Sequence, residues 1–595
     1  MTVGDRTGAA VFLGALVLFG ATLRVGVFVS DTYTVADTMV AVADGHLHVT
    51  ERVFDPTGTG DTPRMHVRDG RLYGRNYGQV VASLPFLWAL AAVDQVADLG
   101  VILPLSWSIL LFAFAVTVGR SVDRPRVATA GGTLAAALFA VNVAHVRPLD
   151  PRWRPLLALQ LSTVVAAALL CVLVYRLVAR MHGRQVGAFA AAIAALGSPV
   201  GFWATIPKRH TVVASLALGT LYCFYRSREA DDRQTTTRFR ALAYVPVGLA
   251  AWVFAPDAGI LFVALASVDV VTVRSNHPRR LALVGAAFLV SLLPALVTNA
   301  LVSGNPLHPP VALPTYVGPG ETVAAADGAG GSIGGAGASG VVGGLAAQFF
   351  EKLFVGVSAL LDPRRLFHVF VRGNLGLGLH PYGALPVNLA VLEVMPLAGA
   401  LLATPLALGV RARTGEDLRL FLTDPKRATD ALVLVYLAVL LLAYLPRSLT
   451  HTMLTVRYLH PLYPLCAYLL ARVAFVRAAV DREWRLLGGT YAAFLLVGGP
   501  LFVLALATWA GGLDEAVQYN ARVALSAAAV VGYWGVVAAL TDDHERLGAV
   551  SLAFAGAAAT VYILLAAFVY FPYGEQFALP AAGALADRLV HMVAL

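Results

Sequence analysis

Long apolar runs separated by short polar connections dominate this chain. The runs fall near residues 8–29, 80–97, 101–119, 127–146, 155–179, 186–204, 210–225, 241–255, 258–273 and 281–302, and again near 385–410, 429–446, 456–476, 486–510, 522–540 and 548–571. Most have the length of roughly 20 residues at which a helix spans a lipid bilayer. Because a helix satisfies its backbone polar groups within one segment, the pattern predicts an all-α bundle with about 14 to 16 membrane-crossing segments.

Two long polar interruptions break this pattern, at residues 31–78 and 303–383. The connections expected to face the cytoplasm are rich in arginine and lie at 120–126, 176–184, 226–240, 274–280, 411–427 and 472–485. With these connections on the cytoplasmic side, 303–383 is an external loop. Residues 31–78 also form an external loop if segments 80–97 and 101–119 together make one crossing. The second loop contains a Gly/Ala/Ser tract from Gly318 to Gly344, whose composition is typical of a flexible tether.

Composition agrees with a membrane protein. Of the 595 residues, 58% are hydrophobic and 13% are charged, whereas soluble domains average about 25% charged residues. The net charge of +9 is expected to serve cytoplasmic loops and contacts with membrane lipids, not nucleic acid. Cys171, Cys223 and Cys466 all lie in apolar stretches, so they indicate neither a disulfide framework nor a zinc site. Histidines in the two interruptions could ligate a divalent metal, but no His or Cys spacing supports such a site, and we expect no cofactor.

The first loop begins with two candidate catalytic carboxylates. Asp31 stands where the first apolar run stops, and a carboxylate at the membrane surface can take a proton from an incoming hydroxyl. The alternative is that Asp31 caps a short amphipathic helix over about 33–43. Asp37, further along the same helix, is the second candidate.

The same loop ends with a basic and aromatic motif, Asp-Gly-x-x-Tyr-x-Arg-x-x-Gly, from Asp69 to Gly78. It places Arg75 between Tyr73 and Tyr77 at the mouth of a membrane segment. A guanidinium there is suited to a lipid phosphate, because its planar fork binds phosphate oxygens bidentately. The alternative is a turn with an interfacial aromatic anchor.

Three further cations fall on the same predicted face. Lys208 and Arg209 stand next to each other between two apolar runs, and Arg457 precedes Tyr458 at the start of another. Each could hold a phosphate or could anchor a helix end.

The order of these motifs resembles the fold class C glycosyltransferases, which include the protein O-mannosyltransferases and the aminoarabinose transferases of lipid A. The first loop has the family's Asp-x-Tyr, then a helix ending in Gly, then the basic motif and an apolar segment with Pro. Stretches that resemble later family motifs follow in order at 197–210, 293–307, 372–381 and 457–464. The resemblance runs from about residue 8 to about residue 475.

This resemblance implies an enzyme that takes a sugar from a polyprenyl-phosphate donor on the outer face of the membrane. Asp31 matches the family's catalytic aspartate, and Arg75 matches the basic residue that contacts the donor phosphate. Many members carry Asp-Glu where this chain has Asp31-Thr32, which keeps Asp37 as a candidate. The other predicted site residues are Tyr77, Lys208, Arg209 and Arg457 for the donor phosphate, and Tyr33, Tyr73, Arg372 and Tyr458 for the substrate pocket.

The resulting hypothesis is a multi-pass cell-membrane glycosyltransferase that uses a dolichyl- or undecaprenyl-phosphate sugar and a protein, lipid or glycan acceptor. Residues 1–485 would form the catalytic module, and 486–595 would add helices without an assigned role. The alternative is a transporter or flippase, which would show internal repeats and polar residues at mid-membrane. The chain shows no convincing half-length repeat.

Overall fold

The chain folds as a bundle of membrane-spanning helices, as predicted. The computed structural model describes residues 5–54, 65–273, 275–318, 321–323, 338–373, 389–405, 424–447, 455–541 and 544–594. Within these ranges, ten helices are long and apolar enough to cross a membrane, and Arg6–Ala21 and Arg184–Leu196 are shorter apolar helices. The predicted all-α polytopic fold is confirmed. Most of the Gly/Ala/Ser tract lies outside the described residues.

The helices are α1 Arg6–Ala21, α2 Asp31–Ala43, α3 Tyr77–Asp94, α4 Leu99–Ser121, α5 Pro125–Ala144, α6 Arg154–His182, α7 Arg184–Leu196, α8 Val200–Trp203, α9 Arg209–Glu229, α10 Arg233–Thr272, α11 Pro278–Ser303, α12 Ala338–Leu360, α13 Pro363–Leu366, α14 Val391–Val394, α15 Pro425–Tyr444, α16 Leu462–Arg472, α17 Ala474–Ala493, α18 Gly499–Trp509, α19 Leu513–Leu540, α20 Glu545–Leu565 and α21 Pro580–Ala594. The strands are β1 Arg24–Val25, β2 His48–Val49, β3 His66–Arg68, β4 Arg71–Tyr73, β5 Thr315–Gly318, β6 Glu321–Val323 and β7 Gln576–Phe577.

Helix α10 folds back on itself at Phe254. This residue has extended backbone angles (φ −162°, ψ 108°). Towards the far ends of the two halves, Arg240 Nε donates to Asp269 Oδ2 at 2.8 Å and Tyr244 Oη donates to the same oxygen at 3.1 Å. The halves therefore run antiparallel and correspond to the predicted segments 241–255 and 258–273. This fold-back is one reason why the long helices are fewer than the predicted crossings.

Asp269 is the electrostatic centre of this hairpin, and its replacement tests the arrangement. Its carboxylate is 1% exposed and also accepts from Arg228 Nη2 at 2.6 Å. Asp269→Asn leaves two buried guanidinium groups without their carboxylate, which is expected to lower the free energy of unfolding by about 3 to 5 kcal/mol. The measurement is the denaturation midpoint of purified protein.

The matched control for Asp269→Asn is Glu483→Gln. Glu483 accepts from Arg546 Nε at 3.3 Å, but that arginine side chain is 85% exposed. The control is expected to cost less than about 1 kcal/mol. Equal midpoints for the two variants would show that the buried carboxylate does not hold the hairpin together.

Contacts at one end of the bundle join the arginine clusters that the sequence assigns to a common face. Arg176 Nε lies 3.2 Å from Asp5 Oδ2, and Arg180 Nε lies 3.0 Å from Glu229 Oε2. Lys426 Nζ donates to a backbone carbonyl in α6, and Arg240 donates to Asn276, each over 2.8–2.9 Å. We call this the basic end of the bundle.

The two large loops meet at the opposite end, in one small antiparallel sheet with strand order β2-β4-β3-β5-β6. Strands β2, β3 and β4 belong to the first loop, and β5 and β6 to the second. The strands pair across the loops where His66 faces Thr315. Both loops therefore lie at the same end, which we call the loop end.

Helix α3 lies along the loop end of α6 and not along its whole length. At its start, Gln79 Nε2 donates to Thr163 Oγ1 at 3.4 Å. At its end, Asp94 Oδ2 lies 3.3 Å from Arg154 Nη1. Both contacts fall within the first ten residues of α6, about 15 Å of helix. Of the predicted segments 80–97 and 101–119, the second therefore makes the crossing that the arginine distribution requires.

Candidate functional site

The charged side chains that meet at the loop end centre on an ion pair between Asp31 and Lys208. Lys208 Nζ lies 2.6 Å from Asp31 Oδ2, and the two side chains are 4% and 11% exposed, respectively. Helix α2 begins at Asp31 itself, with Ser30 as the N-cap residue, so the alternative of a cap for a helix at 33–43 does not describe its position. The helix N-terminus favours a carboxylate in this first turn.

Lys208 is held by the turn that joins α8 to α9. Its backbone amide donates to Ile206 O at 2.6 Å. Trp203, at the start of the turn, donates its indole N–H to Thr455 Oγ1 at 3.0 Å, and both residues are fully or almost fully buried. The backbone carbonyl of Thr455 accepts from the Arg457 backbone amide at 2.7 Å. The Lys208 turn and the Arg457 segment are therefore fixed to each other.

A second carboxylate faces the neighbouring arginine. Arg209 Nε lies 3.5 Å from Asp257 Oδ2, and the guanidinium stacks on the Phe254 ring with its carbon 3.7 Å from the centroid. Tyr444 donates its hydroxyl to the same carboxylate. The break in α10 thus supplies both the aromatic face and the acid that hold Arg209 beside Lys208.

Arg457 and Tyr458 complete the cluster from a third segment. The Arg457 guanidinium lies 5.3 Å from the Tyr458 ring centroid, and that ring stacks on Tyr444 at 5.5 Å. The edge of the His210 ring meets Tyr458 at 5.5 Å. A small cavity beside this group is lined by His210, Asp257, Tyr436 and Tyr458, among other residues.

Among the residues that the structure describes, the cluster has more cationic than anionic side chains. Lys208, Arg209 and Arg457 supply three positive groups, and Asp31 and Asp257 supply two carboxylates. Each of the five residues as a whole is at most 8% exposed. In a poorly solvated site a positive balance favours an incoming anion, since charges there interact far more strongly than in water.

Burial lowers the pKa of Lys208 to about 7, although the neighbouring Asp31 carboxylate acts in the opposite direction. Like-charge repulsion from Arg457 and Arg209 contributes to this lowering of the pKa. The ammonium ion is therefore poised to lose its proton near neutral pH, unless a second anion approaches and stabilises the charge.

Asp37 has a different environment from Asp31. Its carboxylate is fully buried and accepts from the Phe54 backbone amide at 2.9 Å, across 17 residues of the first loop. Six residues separate the two aspartates, which rotates them about 120° apart around α2. The described contact shapes the loop, and a catalytic role for Asp37 remains a prediction.

Arg75 lies at the same end as Asp31, further along α2. The preceding residue, Gly74, packs so closely on Thr38 that a Cβ atom there would overlap the threonine side chain. Thr38 is seven residues from Asp31, about 10 Å along the helix. The Arg75 Nε atom is buried. Arg75 as a donor-phosphate residue therefore remains a prediction.

The predicted tyrosines of the first loop are largely built into its packing. Tyr77 Oη donates to Leu47 O at 2.6 Å, and the Tyr73 ring lies 6.4 Å from the His48 ring within the sheet. Tyr33 is half-buried against the apolar core of this end. Roles for these three in a substrate pocket stay predictions.

Arg372 binds elsewhere, at a buried carboxylate between two chain segments. Its Nη1 lies 2.6 Å from Glu393 Oε1, and it also donates to Gln518. Glu393 is 1% exposed and accepts from the backbone amides of Gly373 and Ala390, each at 2.8 Å. These contacts join residues 373 and 390, and the pocket role of Arg372 stays a prediction.

Two members of the cluster were not assigned to the site from the sequence. Asp257 lies three residues after Phe254, where α10 is broken. Tyr444 carried no motif. The signal for Asp257 was its place directly after Pro256, at a break expected on the loop face. The described residues contain no group of three or more His, Cys, Asp or Glu side chains placed to hold a metal ion.

Comparison with known proteins gives a likeness to solved structures. No protein-family model and no curated protein matches the chain. The chain resembles ArnT of Cupriavidus metallidurans. The structure of ArnT bound to undecaprenyl phosphate is 14% identical over 94% of this chain and 77% of ArnT, with a TM-score of 0.42. The apo ArnT structure is 15% identical over 94% and 76%, with a TM-score of 0.41. These values describe a likeness in fold and assign no residue a role.

Proposed function

We propose that the chain is a membrane glycosyltransferase that moves a sugar from a polyprenyl-phosphate donor to an acceptor hydroxyl. The observation that carries this proposal is the buried pair of Asp31 and Lys208, set beside Arg209 and Arg457 at the loop end. The order of sequence motifs supports the same activity, because Asp31 falls at the position of the family's catalytic aspartate.

The donor phosphate binds where the positive balance is greatest. Lys208 and Arg457 carry two positive charges, and Asp31 offsets only one of them. A phosphodiester monoanion bound beside these residues would neutralise the excess positive charge. It also offers Lys208 a second anion, which keeps the lysine protonated and weakens its hold on Asp31. Donor binding thereby releases the carboxylate for its role as a base.

In the transfer step, the acceptor oxygen forms a bond to the sugar's anomeric carbon as the bond from that carbon to the phosphate oxygen breaks. The acceptor proton passes to Asp31. The electron pair of the broken bond stays on the lipid phosphate, where fixed cations stabilise the developing charge. The transfer reaction requires no oxidant, reductant or further reactant.

The basic end is expected to face the cytoplasm, because arginine-rich connections are retained there. The loop end and the Asp31–Lys208 pair then face outward. We propose an extracytoplasmic active site on this ground, with the acceptor approaching from the side of the two loops.

The proposal is tested by labelled-sugar transfer from a panel of undecaprenyl- and dolichyl-phosphate sugars. Wild-type protein in detergent or nanodiscs is expected to release label from at least one donor to an acceptor, and Asp31→Asn is expected to lose this activity. Sealed vesicles provide the opposing test. Movement of lipid-linked sugar across the bilayer that persists in Asp31→Asn, without transfer, would instead indicate the flippase.

A further inference from the structure

The C-terminal segment 571–577 packs against both chain segments that lead into the ion pair. Phe28, three residues before Asp31, meets the Tyr573 ring with centroids 5.2 Å apart. Thr205 Oγ1 lies 3.3 Å from Tyr573 Oη in a buried hydrogen bond. The Tyr573 side chain therefore contacts both the segment that leads into Asp31 and the segment that leads into Lys208.

Backbone pairing fixes this segment in place. Strand β1, just after α1, pairs antiparallel with β7. Between the strands, a Cβ on Gly574 (φ +68°) would lie 2.8 Å from Gly26 Cα, so the chains approach closer than side chains permit. Gln160 Nε2 donates to both Arg24 O and Thr205 O, at 2.7 and 2.9 Å, which joins the two approach segments from within the bundle.

The residues that Tyr573 contacts lie close in sequence to the two charged residues. Thr205 precedes Lys208 by three residues, and Phe28 precedes Asp31 by three residues. The hydrogen bond from the Lys208 amide to Ile206 O restricts the chain between Thr205 and Lys208. Catalytic groups must be held within about 0.5 Å of their working geometry, and small displacements lower rates severely. A contact this close to both partners is placed to set their separation.

We propose that Tyr573 is a positioning residue for the Asp31–Lys208 pair, with its ring fixing Phe28 and its hydroxyl fixing Thr205. The kinetic part of this inference rests on the proposed function. It extends the functional unit beyond residue 485 and gives the C-terminal segment a role in the site.

The kinetic test compares Tyr573→Phe with Tyr468→Phe. Tyr468 is also a buried tyrosine that donates its hydroxyl to a side chain, Asp430 at 2.6 Å, but it lies at the basic end. Tyr573→Phe is expected to lower kcat about tenfold with the donor KM within about twofold, and Tyr468→Phe is expected to leave both unchanged. Adding Thr205→Val to Tyr573→Phe should cost less than Thr205→Val costs alone, because the bond to Tyr573 is already absent and only the Thr205 Oγ1 bond to Phe202 O, at 3.2 Å, is lost in addition.

A second readout does not depend on sugar transfer. Lysine occurs only at Lys208, Lys352 and Lys426, so selective ¹³C-lysine labelling yields few NMR signals, and Lys208→Arg assigns the one of interest. Loosening the Lys208 turn lets water reach the ammonium group. Tyr573→Phe is therefore expected to raise the pKa of Lys208 by about one unit, whereas Tyr468→Phe leaves the titration unchanged.

The outcomes separate the two proposals. If Tyr573→Phe lowers the unfolding midpoint but leaves both kcat and the Lys208 titration as in wild type, Tyr573 is only a packing residue and the inference is overturned. If the Lys208 titration shifts but wild-type protein transfers sugar from no donor, the positioning role stands and the proposed function fails. The described charged and titratable groups that act on Lys208, namely Asp31, Arg209, Arg457 and His210, are intact in both variants.

Discussion

Replacing Asp31 by asparagine is expected to reduce kcat for sugar transfer by about a thousandfold, within the range of 10² to 10⁴ typical of a lost general base. The amide keeps nearly the same size but cannot accept the acceptor's proton. Donor binding is expected to change less, because Lys208 and Arg457 remain. The measurement is the steady-state rate with a labelled donor at saturating concentration.

Asp31→Asn also leaves Lys208 buried without its partner, so a loss of activity must be separated from a loss of folding. The double variant Asp31→Asn with Lys208→Met removes both charges, and it is expected to recover thermal stability but not activity. Asp94→Asn is the control for a carboxylate at the same end, since Asp94 forms a partly exposed pair with Arg154. Recovery of activity in the double variant would show that Asp31 is structural.

Lys208 is expected to set the alkaline limb of the pH profile. Its lowered pKa means that the cation is present below about pH 7 and is lost above it. In wild type, kcat/KM for the donor is therefore expected to fall about tenfold per pH unit above pH 7. Lys208→Arg keeps its charge over the whole range, so this limb should move to higher pH.

The profile is measured as kcat/KM because that quantity reports ionisation in the unbound enzyme, before the phosphate stabilises the ammonium ion. Lys208→Met serves as the matched variant without charge. Its kcat/KM for the donor is expected to be low at every pH and to show no alkaline decrease. An alkaline limb at the same pH in wild type and Lys208→Arg would assign that ionisation to another group.

The features that could be predicted from the sequence depend on local composition. Apolar runs indicate helices, and arginine clusters indicate a common end, because both follow from the cost of placing polar groups in lipid. The same reasoning required that 80–97 and 101–119 together cross once, and the contacts of Gln79 and Asp94 with one end of α6 agree.

The partners within the site could not be predicted in this way. Asp31 and Lys208 are 177 residues apart, and no local pattern states which cation faces which acid. The α10 hairpin was visible as two apolar segments, but its turn at Phe254 is a single non-helical residue. The stacking of Arg209 on that ring and its pairing with Asp257 follow only from the folded arrangement.

The pairing of β1 with β7 also has a consequence for how the protein is made. Arg24 pairs with Phe577, so one strand leaves the ribosome about 550 residues before the other, or about half a minute to two minutes at 5–20 residues per second. During that interval Asp31 is already in the membrane protein but lacks its final support. A chain that ends before residue 573 therefore lacks both the paired strand and the Tyr573 contact that support the segment leading into Asp31.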